Sequence, residues 1–191
     1  MSDDGKAINE MFRQMRRFLN EVGKLLQTAD GQLDKGGWKP IDAKLISASG
    51  RVDKAEEWVP YNATRFYIHE RTPTTLVYVF VLFDYYDDGS VTVQRLEEPL
   101  ISCGIMSFRS KDEVDWVPWQ GALHLYRKGW SADGNFVEFD LKGMVPASWC
   151  KATGVTSAAL PLRAMTGPEV LLEKCIQPLL DQVAKRERPK P

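Results

Sequence analysis

The chain has 191 residues, 43% hydrophobic and 27% charged, the composition of an ordinary globular protein. One domain is expected at that length, burying roughly 70% of the surface of the unfolded chain without help from metal or disulfide. A net charge of -1, from 25 basic and 26 acidic residues, argues against a nucleic-acid footprint, which shows as a basic face or stripe.

Cys103, Cys150 and Cys175 are odd in number and far apart, which fits a reducing, cytoplasmic setting. The apolar residues near the start are spaced rather than massed, so no signal peptide is expected. The longest apolar run, residues 76–83, is far short of the ~20 residues a membrane-spanning helix needs.

In chain order, the first expected element is a helix over about residues 6–29. Ile8, Met11, Phe12, Met15, Phe18, Leu19, Val22, Leu25 and Leu26 recur at intervals of three and four, within an arc of roughly 140°. Arg13, Arg17, Glu10, Glu21 and Lys24 take the opposite side, so the helix has one stripe to bury. Packing on its own sheet is the expected use of that stripe, with a partner-binding face as the alternative. Asp30-Gly31 reads as the end of the helix, and residues 31–40 as a loop.

Residues 41–47 suggest a first strand and residues 64–71 a second, with a turn at Thr72-Pro73. Residues 76–83 are apolar at every position and rich in β-formers, which marks a central strand covered on both faces. Asp88-Gly89 is a hairpin signal, returning into residues 91–96. Residues 101–108 form the next expected strand. Residues 122–128 and 136–142 are expected to make a hairpin about Asp133-Gly134-Asn135, the second strand alternating as a half-buried one does. Residues 143–162 have small side chains and no period, and read mostly as loop. Thr166-Gly167-Pro168-Glu169 fits a capping box ahead of a last helix over about residues 167–186, which Pro178 should kink.

Two stretches repeat. Leu45-Ile46-Ser47-Ala48 returns as Leu100-Ile101-Ser102-Cys103, and residues 57–63 return as residues 115–121 with the corner Trp-Val-Pro-aromatic kept. The fold class expected is therefore α+β: a single domain, 1–191, with an antiparallel sheet of about six to seven strands from two β units, 43–98 and 99–145, flanked by terminal helices.

The candidate binding residues follow from that repeat. Duplication could bring Trp58, Tyr61, Trp116 and Trp119 around one groove, with His69 and His124 one strand beyond each corner. Glu70 beside His69 makes a general base conceivable, yet no nucleophile stands in a recognisable setting. Glu138, Asp140 and Lys142 share a strand face that would need a further acid such as Asp115 to hold a metal, and a solvated face is the simpler reading. No cysteine or histidine spacing suits a metal and no phosphate loop occurs, so neither cofactor nor metal is expected.

The order of helix, meander and final helix resembles small bacterial chaperone or immunity-type proteins at the level of architecture alone, with no shared motif, so an adaptor, chaperone-like or immunity-like role is the expectation. The expectation is thus a non-enzymatic cytoplasmic domain whose partner is another protein or itself, with no nucleic acid and no membrane. The alternative is a small-molecule site, or an enzyme, between the two Trp-Val-Pro corners.

Overall fold

A computed structural model describes residues 3–41, 46–47, 62–83, 98–114, 132–140 and 151–187. The fold is α+β, built on the apolar run around Val79. Strand β4 (Thr75–Leu82) lies between β3 (Asn62–Ile68) and β5 (Leu100–Ser107), with β7 (Gly154–Pro161) and then β6 (Val137–Asp140) beyond β5. Two-residue strands β1 (Lys39–Pro40) and β2 (Ile46–Ser47) both pair along the outer edge of β3. Seven segments therefore make one sheet six strands wide, and every pairing is antiparallel.

Alternation along β4 sends its residues to two separate cores. Val77, Val79 and Val81 face the helices, while Leu76, Tyr78, Phe80 and Leu82 face the other way. All seven are at most 1% exposed within a single chain. Both faces of the central strand are thus covered within one chain.

Tyr78 lies across its cross-strand partner Gly104. A side chain at Gly104 would place its Cβ 2.6 Å from the Tyr78 hydroxyl and 2.7 Å from the Thr156 carbonyl oxygen, so only glycine leaves room there. The hydroxyl is hydrogen-bonded to Ser157, whose Oγ lies 3.2 Å from Ser102 Oγ and donates to the Cys103 carbonyl at 3.2 Å. Buried hydroxyls are tolerable in this core because they satisfy one another.

The helical layer on the opposite face joins the two ends of the described chain. Helix α1 (Asp3–Lys35) packs beside a C-terminal helix made of α2 (Pro168–Leu171), a π turn (Leu172–Ile176) and α3 (Gln177–Glu187). Val22, Leu26, Ala29 and Leu33 meet Leu171, Cys175, Ile176, Leu179 and Val183 over the valines of β4 and Ile101, Cys103 and Ile105 of β5.

Several expectations change. Helix α1 does not stop at Asp30-Gly31 but runs on to Lys35, and Gly37, at φ +82, ends it. Tertiary contacts override the turn signal, since Ala29 and Leu33 are buried and Asp30 binds Arg65 and Tyr67. Residues 154–161, expected as loop, form interior strand β7, paired along its length with β5 and on its other edge with β6. Its glycine, alanines and serine have poor strand propensity, but pairing on both edges decides the outcome.

The expected capping box is not made. Gly167 is the N-cap of α2, without a side-chain cap hydrogen bond, while Pro168 does hold the first turn. The missing N–H of Pro178 is absorbed by the π turn, where the Gln177 N–H reaches back to the Leu172 carbonyl. Strand β6 pairs with β7; residues 122–128, the Asp88-Gly89 turn and residues 91–96 lie outside the described residues.

The described residues do not confirm the repeat, whose Trp-Val-Pro corners lie outside them. Ile46-Ser47 is a two-residue edge pairing, whereas Ile101-Ser102 sits deep in β5 between two full strands.

Candidate protein-docking surface

Every third or fourth residue of α1 from Ile8 onward is apolar in a strict heptad alternation: Ile8, Phe12, Met15, Leu19, Val22, Leu26, Ala29 and Leu33. A seam spaced in this way, by fours and threes, lies along one side of a helix. Its second half, from Val22 on, is buried at 4% exposure or less. Among residues 5–21 none is buried, and Ile8, Met11, Phe12 and Phe18 are 53%, 53%, 49% and 39% exposed.

Length explains the break. A 33-residue helix spans about 50 Å at 1.5 Å per residue, whereas the eight residues of β4 span about 27 Å. The Phe18 ring meets Phe83, the residue after β4, edge to face at 5.2 Å and 66°. From that contact toward its N-terminus α1 stands clear of the sheet as an arm.

The buried half is pinned. Arg65 donates to both carboxylate oxygens of Asp30, with Nη2 at 2.7 Å from Oδ2 and Nε at 3.0 Å from Oδ1, and the Tyr67 hydroxyl donates to Oδ1 at 2.8 Å. Burial, then the Asp30 charge, raises the Tyr67 hydroxyl above its ordinary value. Below the helix end, Trp38 packs at 5.3 Å from the His69 ring. This anchor fixes where the arm points.

At the base of the arm a groove with a cavity of about 270 Å³ opens between α1 and the segment leading into α2. Phe18, Val22, Leu25, Leu162, Met165 and Leu171 line it, with Glu21, Lys24 and Thr28 on the α1 side. Glu21 and Lys24 pair at 2.7 Å. Phe18 belongs to both groove and arm, so the two form one apolar surface. Behind Met165 lies a sulfur cluster: its Sδ is 3.9 Å from Cys175 Sγ, and Cys103 Sγ donates to the Cys175 carbonyl at 3.6 Å. Both cysteines are free and buried, and the Cys103 thiol is pushed up by its hydrogen bond to Cys175 and by burial.

Trp58, Tyr61, Trp116, Trp119 and His124 lie outside the described residues. His69 is half-buried; its Nδ1 accepts from the Arg71 N–H at 3.1 Å, and its Nε2 edge abuts Gly37. That histidine braces a chain turn. Glu138 of β6 points toward Arg186 at 3.6 Å. Arg13 sits 3.8 Å from Glu10 on the exposed side of the arm.

Sequence reasoning found the stripe on α1 but not the groove, whose far wall comes from Leu162, Met165 and Leu171, where an expected loop runs into the last helix. Comparison with models of protein families, with curated proteins and with solved structures found no match. Among the described residues no helix is long and apolar enough to cross a membrane, and no cluster of three or more His, Cys, Asp or Glu side chains is arranged to hold a metal ion.

Proposed function

We propose that this chain is a protein-docking domain in which the sheet and the C-terminal helix hold α1 so that its first half is presented to a partner. One observation carries the reading: Ile8, Met11, Phe12 and Phe18 are exposed together along one side of one helix. Scattered apolar residues are normal on a protein surface, but a contiguous stripe of large ones marks an interaction site. An amphipathic helix with anchors at three- and four-residue spacing is also a recurring recognition element. The groove supports the same reading, because an apolar side chain from a partner lying on the arm would find it at the arm's base.

A photo-cross-linking amino acid at position 12 tests this in cells expressing the full chain, against the same group at position 14 on the polar side. Docking predicts protein adducts from position 12 and few from position 14. Equal yields at both positions would remove the support for a specific surface.

A further inference from the structure

Of the six methionines in the chain, three belong to the surface just described. Met11 is 53% exposed beside Phe12, Met15 lies half-buried on the seam one turn along, and Met165 is half-buried in the wall of the groove. Four residues apart, Met11 and Met15 share one side of α1, in the middle of the exposed stripe. Met106 is the opposite case, at 0% exposure in the core beneath the sheet. Met1 and Met144 lie outside the described residues.

Exposure decides what an oxidant finds. Thiols react as thiolates, and the described ones, Cys103 and Cys175, are each 2% exposed. The Cys103 thiol is also pushed up by its hydrogen bond to Cys175 and by burial. A thioether needs no deprotonation, only access to its sulfur lone pair. Among the described residues, the sulfur on the arm is therefore the most open to a peroxide.

We propose that Met11 and Met15 are modification sites, and that their oxidation to the sulfoxide by hydrogen peroxide switches docking off. An S–O bond forms at the methionine sulfur as the peroxide O–O bond breaks. Sulfur gives up two electrons, and the second peroxide oxygen leaves as water. The product is polar and chiral where the stripe was apolar. Covering it with a partner's apolar side chains strips the new oxygen of water without supplying a donor, so docking weakens roughly tenfold for each sulfoxide. A methionine sulfoxide reductase returns the thioether: the oxygen leaves as water and two thiols become a disulfide.

The place of the arm makes this a switch rather than damage. From Phe18 toward its N-terminus α1 stands clear of the sheet, so the added oxygen alters the docking surface without opening either core. The same oxygen at Met106 would have to enter a packed interior.

This inference rests on the docking reading, and one experiment separates the two. The purified full chain, with the photo-cross-linking group at position 12, is treated briefly with hydrogen peroxide. Catalase then removes the peroxide, and the chain is irradiated in an extract of the cells that express it, so that only this chain has met the oxidant. Peptide mass spectrometry should find one added oxygen at Met11 and at Met15 before any at Met106. Adducts should fall roughly tenfold or more at an unchanged urea midpoint, and return after incubation with methionine sulfoxide reductase and dithiothreitol. A chain carrying Met11→Leu and Met15→Leu should give the same yield treated as untreated, and Met15→Gln should lower the yield with no oxidant at all.

An untreated chain that gives no adducts removes the docking reading, and the switch with it. Adducts that survive oxidation of both methionines leave docking standing and overturn the switch. So does a loss that Met11→Leu with Met15→Leu fails to prevent. Oxidation of Met106 in step with Met11 overturns the assignment of the sites.

Discussion

Phe12 and Leu26 occupy equivalent points on the α1 seam, two heptads apart, yet Phe12 is 49% exposed and Leu26 is 1% exposed. Nothing in the periodicity separates them. Around Leu26 the chain supplies β4, β5 and the C-terminal helix, and Asp30 ties α1 to Arg65 and Tyr67. Around Phe12 no described residue supplies a matching surface. A repeating apolar pattern thus specifies a face that needs cover, while the supply of cover is a separate, long-range property of the fold.

The sharpest way to break that comparison is to truncate both residues. Leu26→Ala should cost about 2–5 kcal/mol, by lost transfer energy and the cavity left behind. Phe12→Ala, away from any core, should stay within about 0.5 kcal/mol. Urea denaturation of the isolated chain checks both, and equal costs would mean that the arm is covered after all.

A middle-sized effect comes from the anchor. Asp30→Ala removes the carboxylate shared by Arg65, whose side chain is only 14% exposed, and the Tyr67 hydroxyl, and should cost about 2 kcal/mol. The same anchor predicts alkaline sensitivity. Tyr67 is raised above its ordinary 10.0 by burial first and by Asp30 second. The folded state therefore holds its proton more tightly than the unfolded chain does. That contribution is fully present below pH about 10 and is lost as pH rises beyond it. Urea midpoints between pH 8 and 11 should fall at the upper end, and by less in Tyr67→Phe.

The smallest expected effect is a gain. Gly31 lies within α1, and a Cβ built there meets nothing within 4 Å. Gly31→Ala should stabilise the buried half by about 0.5–1 kcal/mol, read as a raised thermal midpoint.

What could be read from the sequence depended on side-chain size. Residues 76–83 declared a central strand because large β-branched and aromatic residues there need cover on both faces, and β4 has it. The α1 stripe was equally plain, although only its second half packs on the sheet. Strand β7 was illegible because Gly154, Ser157, Ala158 and Ala159 are small, and small residues there are a property of their neighbours. Ser157 meets the Tyr78 hydroxyl and Ala159 packs in the core beneath the sheet. The groove was illegible for a similar reason, since Leu162, Met165 and Leu171 acquire their meaning only beside α1. The run through Asp30-Gly31 needed knowledge of Arg65, distant in the chain.

The shared cover of α1 and the C-terminal helix also sets an order of events during synthesis. Val22, Leu26 and Leu33 leave the ribosome long before Leu171, Ile176, Leu179 and Val183 exist to meet them. At ~5–20 residues per second the interval is on the order of ten seconds. Throughout it, all eight seam residues are bare on a nascent helix. Only when β7 has slotted between β5 and β6 and the last helix has closed over Leu26 does the seam divide into a hidden half and a presented one. The finished arm is the portion of that nascent surface which folding never withdraws.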